Sequence, residues 1–335
     1  MLYNKKNIYL RAPMRISFVG GGTDLESYYS QGKNGHVVSA AIDLYTYVFI
    51  KDMFDSNTRV HHAEIETEPI TSRIKHAYSR VVLEYFGMFK GAEVVITSDI
   101  MTTGSGLGAS SAMMSALIMG CNEIRNGKQL DKYELADLTY KLECEAGTIG
   151  GKQDQFAVVF GGFNSISFAV DGVKVNSIKL ESEKLNLLEN NLLLIFTNIA
   201  RESKHIQLNL EANSKSSQKI YLDKLRDLSY NFLNELLSEN FSIKILGKIL
   251  DEAWELKKQV NNKSTNPYIE QLYNILRSKG VIGGKILGAG GGGFFLALTE
   301  SKSIKEKIKY ELYPNFIALD VKFNFKGTEI LWKNF

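Results

Sequence analysis

Hydrophobic positions recur along the chain with two periods, and the switches between them mark its elements. Residues 8–19 read as a strand interrupted by Pro13, which a sheet accepts only at an edge or a bend. Val37, Val38, Ile42, Val48, Phe49 and Ile50 predict a strand pair over 36–53. A hairpin near Asp55-Ser56-Asn57 would lead on to a polar strand through His61, Glu64 and Glu66. Ile74, Ala77, Tyr78, Val81, Val82 and Tyr85 return at helical spacing and stop near Gly87. Residues 92–99 form a strand that feeds a run of glycines, and the apolar stretch 113–119 behind it predicts a helix. Asp131 and Glu134 make a capping box for a helix with a Leu135, Leu138, Leu142 stripe, stopped by Gly147. Residues 156–168 read as an apolar strand, with Asp171-Gly172 as a hairpin turn.

Between 181 and 191 the composition shifts to Leu, Glu, Asn and Lys, and the domain boundary is placed there, giving units 1–185 and 186–335. Leu192 to Phe196 is a buried strand, followed by helices over 203–216, 219–237, 243–260 and 267–278. The last carries Asn266 as cap, Pro267 at its first position and Gly280 just past its end. Strands over 281–287 and 294–298 flank a third glycine run, and a helix over 304–313 and a strand pair over 318–331 close the chain. Strands and helices in this arrangement predict an α+β fold.

Composition narrows the function classes. Of 335 residues 44% are hydrophobic and 23% charged, as in a soluble globular protein, and a net charge of +3 gives no electrostatic case for nucleic acid or an anionic membrane. No membrane span or signal peptide is visible, and Cys121 and Cys144 form no motif, so a cytoplasmic protein is expected. The five histidines show no metal spacing and read as structural or exposed.

The chemistry gathers at the glycines. Gly104-Ser105-Gly106-Leu107-Gly108-Ala109-Ser110-Ser111 is a flexible loop opening into a helix. Such a loop lets N–H groups approach a phosphate at the positive end of the helix dipole. No Gly-Lys-Ser/Thr follows, which excludes a Walker loop. Two loose dinucleotide fingerprints, at Gly104 and Gly288, fail on context: the first lacks a following βαβ unit and the second opens a strand. Further glycine runs lie at 20–22 and 288–293, and Asp154 follows the Gly-rich stretch 147–151 into apolar sequence.

Together these runs resemble the GHMP small-molecule kinases. Residues 104–112 are similar to the family's nucleotide loop, the run from Arg11 to Asp24 to its first motif, and the run from Lys285 to Gly293 to its third, in the family's order. The resemblance covers the whole chain. It implies two domains, the N-terminal one like ribosomal protein S5 domain 2 and the C-terminal one ferredoxin-like, with ATP and Mg²⁺ as cofactors. By the same resemblance Gly104, Ser105, Gly106, Leu107, Gly108, Ala109, Ser110 and Ser111 hold the ATP phosphates. Ser110 (or Ser111, one register on) and Glu143 would bind Mg²⁺, Asp154 would accept the acceptor's proton, and Arg15 would pair with Asp154. Glu145 lies about 200° around the helix from Glu143, so one metal cannot take both.

Gly21, Gly22, Thr23, Asp24, Gly151, Gly290 and Gly291 are the expected substrate contacts. The chain has Gly20-Gly21-Gly22 where galactokinases have Gly-Glu-His. Its first motif looks like that of the branch phosphorylating heptose 7-phosphate or fucose at the anomeric carbon. The implied activity is heptose 7-phosphate phosphorylation in nucleotide-activated heptose synthesis for surface polysaccharide, with a fucose-type kinase as the alternative. Such a sugar phosphate needs a second basic contact, for which Arg201, Lys204, Lys152 and Lys285 are candidates. A catalytically silent sugar and ATP sensor is the contrasting class, and a homodimer stays open.

Overall fold

The computed structural model describes residues 6–100, 104–199 and 216–335. The helix expected over 203–216, apart from its last residue, and the candidates Arg201 and Lys204 lie outside them. Two sheets organise the α+β chain. The first is built on β1 (Asn7–Val19), which pairs antiparallel along most of its length with β2 (Gly35–Asp52). Its other strands are β3 (Thr58–His61), β4 (Ile65–Glu68), β5 (Ala92–Ser98), β6 (Phe163–Ala169), β7 (Gly172–Ile178) and β12 (Glu329–Asn334), in the order β12-β1-β2-β5-β3-β4, with β6 branching off β2 and β7 pairing with β6. The second holds β8 (Leu192–Phe196), β9 (Val281–Ile286), β10 (Phe294–Thr299) and β11 (Ala318–Asp320), ordered β11-β8-β10-β9 and wholly antiparallel. That order is the split βαβ pattern of ferredoxin-like sheets.

Several expectations are corrected. Residues 36–53 form one strand instead of a pair: opposite Pro13 the register skips Asp43 and Leu44, so β2 bulges and continues. Pro13 sits beyond the reach of β12, which stops at Arg11, so its missing N–H costs no ladder bond there. β3 does not hairpin onto β2, because β5 lies between them and β3 runs parallel to β5. The stretch 181–191 contains a helix, α6 (Ser182–Asn191). The closing strands do not pair: β11 joins β8, whereas β12 returns to β1.

After a single-turn α1 (Glu26–Tyr29) behind the first glycine run, helices cover both sheets. Against the first pack α2 (Ala77–Tyr85), α3 (Ala109–Asn126), α4 (Lys132–Glu145) and α5 (Gln153–Phe160), sharing a core that includes Leu10, Ile50, Leu117, Leu142 and Phe156. The capping box at Asp131 and Glu134 is present, as is the Asn266 cap with Pro267 in the first turn of α9 (Pro267–Ser278). A second core joins Ile16 and Phe18 of β1 to Leu194 and Leu296 of the other sheet. It also takes in Leu225 of α7 (Ser216–Leu237) and Leu250 of α8 (Ile243–Val260). Trp254 on α8 packs on the far face of the second sheet with Phe295, Tyr273 and Ile308, the last from α10 (Lys302–Leu312). Among the described residues no helix is long and apolar enough to cross a membrane.

Candidate active site

The strand that ends in the first glycine run is fastened to the loop that forms the second. The Arg15 N–H donates to the Leu107 carbonyl at 2.8 Å, and the Arg15 guanidinium, only 2% exposed, donates to the Gly106 carbonyl. Gly104, Gly106 and Gly108 take φ of +70°, +79° and +72°, a left-handed backbone that side chains disfavour. The third run closes from the other side. A Cβ on Gly106 would stand 2.6 Å from the Leu287 carbonyl oxygen, and one on Gly293 2.5 Å from that of Ser105. Small residues let these main chains touch. All three runs line one cleft of about 710 Å³, through Gly21 and Gly22, Gly104 to Gly106 and Gly108, and Gly288.

Gly108 caps α3 without a side-chain bond, and the first-turn residues Ala109, Ser110 and Ser111 line the cleft. N–H groups at such a terminus lack intrahelical partners and suit an anion. Ser110 is exposed and Ser111 is 2% exposed. The Ser111 hydroxyl donates to both Glu143 oxygens, at 3.0 and 3.1 Å, and the Gln155 amide donates to one of them. Glu143 is buried on α4, whereas Glu145 is exposed, as the helical angle between them requires. Burial pushes the Glu143 carboxyl up to about 7, and the Asp154 charge adds to this, against hydrogen bonds from Gln155, Ser111 and Ser110. Among the described residues no three His, Cys, Asp or Glu side chains form a metal cage.

Asp154 lies in the first turn of α5, where an apolar strand was expected. Residues 156–159 are buried throughout, a pattern that fits strand or helix alike, and as a helix they pack on Tyr133 of α4. The turn aims Asp154 at Arg15: Nε donates to Oδ1 at 2.8 Å and Nη2 to Oδ2 at 2.6 Å, a two-point charged contact. Asp24, 2% exposed, accepts from the Gly22 N–H at 2.9 Å and from the Gln153 N–H and side-chain amide at 3.2 and 3.0 Å. Its carboxyl is pushed up by burial first and by the Asp154 charge second. A Cβ on Gly151 would lie 1.9 Å from Asp24 Oδ2, so only glycine admits this carboxylate.

Four expected contacts do not line the cleft. Thr23 is fully buried, its hydroxyl donating to the carbonyls of Gly20 and His36 and accepting from the His36 N–H, so it fixes the turn from behind. The Leu107 side chain belongs to the second core. Gly290 and Gly291 pack on Ser264: a Cβ on Gly290 would meet the Ser264 Cα at 2.5 Å, and the Gly291 N–H donates to the Ser264 carbonyl at 2.6 Å. Among the basic candidates, Lys152 stands over the Tyr140 ring at 5.0 Å. Lys285 lines the cleft and donates to the Ser17 and Phe18 carbonyls at 3.0 and 2.8 Å, with burial and then the Arg15 charge lowering it to about 7.

Sequence reasoning missed other lining residues. Gln153 and Gln155 flank Asp154, and Ser17 lies within the first motif, yet nothing in their spacing gave them a role. Leu225 of α7 lines the cleft too, and Leu222 would touch a Cβ on Gly22 at 3.1 Å, so this helix lies over the first glycine run.

Comparison with known proteins matches this architecture. Residues 72–162 fit the GHMP kinases N terminal domain and 233–317 the GHMP kinases C terminal domain. The D-glycero-alpha-D-manno-heptose 7-phosphate kinase of Campylobacter jejuni is 31% identical over 97% of this chain and 98% of its own. A bifunctional fucokinase/GDP-fucose pyrophosphorylase of Arabidopsis thaliana is 25% identical over 96% of this chain but only 32% of its own length. The crystal structure of a D-glycero-D-manno-heptose 1-phosphate kinase from Bacteriodes thetaiotaomicron superposes with a TM-score of 0.77 over 99% of each chain, at 24% identity. With its glycine runs, its cleft and these matches in agreement, the chain belongs to the GHMP kinase family, and is a sugar kinase that uses ATP to phosphorylate a sugar hydroxyl.

Proposed function

We propose that the chain phosphorylates the anomeric (C1) hydroxyl of D-glycero-D-manno-heptose 7-phosphate, giving the 1,7-bisphosphate for nucleotide-activated heptose synthesis. The observation that carries the reading is the Arg15–Asp154 pair, which touches both sides of the cleft: Arg15 holds the Gly106 carbonyl and Asp154 stands beside the Asp24 end. The choice of sugar follows the similarity to the Campylobacter jejuni heptose 7-phosphate kinase.

In this reading the triphosphate lies along 104–111, on the N–H groups of the loop and of the first turn of α3. The base takes the end lined by Tyr78, His76, Ile96 and Met113. The sugar lies between Gly21, Asp24 and Asp154. Asp154 accepts the hydrogen bond of the attacking hydroxyl. As the new O–P bond forms and the bond to the ADP oxygen breaks, the hydroxyl proton passes to this carboxylate. Arg15 keeps Asp154 in place and offsets charge on the moving phosphoryl group. Positioning and charge stabilisation of this kind dominate phosphoryl transfer.

The residues fit Mg²⁺. Glu143 is a buried carboxylate held by hydroxyl and amide donors, and among the described residues it has no ion-pair partner. Such a group suits a cation that arrives with its ligand. Glu143 and Ser110 would hold the ion, with Ser111 holding Glu143, and the ion would supply neutralisation of the phosphate charge.

ADP release from Mg-ATP with a panel of sugars and sugar phosphates, and ³¹P spectra of the products, test the assignment. Turnover with heptose 7-phosphate and a new anomeric phosphate is the expected result. Turnover with fucose alone would move the chain to the fucose branch, and no ADP release with any sugar would favour a sensor.

A further inference from the structure

Buried polar atoms without partners are costly and rare, and half of those among the described residues belong to the cleft. Among the described residues six such atoms occur, and three belong to cleft-lining side chains: Ser17, Gln153 and Gln155. Two of the three border a single small space. A Cβ placed on Gly21 would lie 3.8 Å from Ser17 Oγ and 3.8 Å from Gln153 Oε1. Ser17 is only 5% exposed, near the end of β1 and just before the first glycine run.

The Gln153 amide has one orientation compatible with its neighbours. Its Nε2 donates to Asp24 Oδ1 at 3.0 Å, which assigns the nitrogen, and both Nε2, at 3.5 Å, and Oε1, at 3.8 Å, border a Cβ placed on Gly21. Oε1 is therefore an acceptor only, whereas the Ser17 hydroxyl both donates and accepts. We infer that Ser17 and Gln153 form a specificity subsite over Gly21 that holds one neutral hydroxyl of the acceptor sugar. A hydroxyl accepts from Ser17 and donates to Gln153 at once. A phosphate or carboxylate oxygen would set an anion against the Gln153 oxygen, and a methylene would leave both atoms unpaired. The subsite therefore reads one hydroxyl of the sugar ring or its side chain.

The inference rests on the reading that the sugar occupies this end of the cleft. It also explains Gly21, whose φ lies outside the left-handed region and whose Cβ would meet its neighbours at 3.5 Å or more, ordinary contact distances. Alanine fits there without backbone strain but fills the place of the hydroxyl.

Three variants and a series of deoxy sugars test it. Ser17→Ala and Gly21→Ala are expected to melt at or near the wild-type temperature. Each should raise the KM for the sugar roughly 10- to 100-fold with the KM for ATP unchanged, as expected when a buried hydrogen bond goes unmade. Gln153→Met should do the same, and its additional loss of the Asp24 contact should show in kcat. With wild type, one deoxy analogue should lose a similar factor in kcat/KM, because sites built for a hydroxyl reject ligands that lack it. With Ser17→Ala that analogue and the parent sugar should differ by less than about threefold, since the two losses are coupled. Wild-type sugar KM in both alanine variants, or the same penalty in variant and wild type at every position, would overturn the subsite. Should wild type prefer a sugar other than heptose 7-phosphate, the substrate assignment fails alone, and the same series built on the preferred sugar still tests the subsite.

Discussion

The two ends of the cleft, the one we propose for the nucleotide and the one we propose for the acceptor, are made of different material. The nucleotide end is mostly main chain: Gly104, Gly106 and Gly108 in left-handed conformations, with the third glycine run pressed against them at distances no Cβ would permit. The acceptor end is mostly side chain, where Asp24, Gln153, Asp154 and Arg15 are joined by hydrogen bonds and charge. Gly151 is the exception there, leaving room for the Asp24 carboxylate. A wall of main chain suits what every nucleotide shares, and its shape is fixed by sterics. A wall of side chains is set by polar pairing, so chemistry and sugar choice can change there while the fold stays.

The largest effect expected from this contrast is at Asp154. Asp154→Asn keeps the size of the side chain and removes the proton acceptor, so kcat should fall by ~10²–10⁴, the usual worth of general-base help. Affinity for ATP should hold near wild type, read by nucleotide titration beside the ADP-release rate. Equal losses in both would mean that the two ends are not separable.

Gly106→Ala should act in the opposite way. Its φ of +79° costs a side chain about 1–2 kcal/mol, and the new Cβ would collide with the Leu287 carbonyl. The variant should melt several degrees lower and bind ATP more weakly. Gly21→Ala, at the other end, should leave the melting temperature alone. Matching melting curves for the two glycine variants would break the comparison.

A smaller effect concerns pH. Glu143 stands at about 7 in the fold, above its ordinary value, chiefly through burial. A carboxyl raised on folding favours the protonated native state. Its contribution to stability is complete below about pH 4.5 and is lost as pH rises through 7. Glu143→Gln, uncharged throughout, should therefore gain on wild type between pH 5 and pH 8 by on the order of 1–3 kcal/mol without ligand. Thermal melts at the two pH values measure this, and a constant gap would show that the carboxyl is not raised.

How much of this was legible in the sequence follows the same divide. The loop 104–111, the Asp131 capping box and the Asn266-Pro267 start were readable because each is a local device with its own backbone rule. Local signal failed where distant partners decide. The bulge that keeps β2 in one piece forms against Pro13, some thirty residues away in sequence, and β12 finds its partner at the opposite end of the chain. The run 156–159 fits a buried strand or a buried helix equally, and packing against Tyr133 of α4 goes with the helix. Thr23 belongs to the same motif as Asp24, but pattern alone does not reveal that its hydroxyl is consumed by main chain. Ser17 and Gln153 were invisible because what distinguishes them is a missing partner, which only three dimensions display.

The central claim is that three glycine runs close around one triphosphate with the Asp154 carboxylate at its outer end. A crystal structure with Mg²⁺, a non-hydrolysable ATP analogue and the acceptor sugar tests it most directly. The phosphates should lie on the N–H groups of 106–111, with the attacking hydroxyl within hydrogen-bond reach of Asp154. A triphosphate seated away from that loop, or an acceptor hydroxyl remote from Asp154, would contradict it.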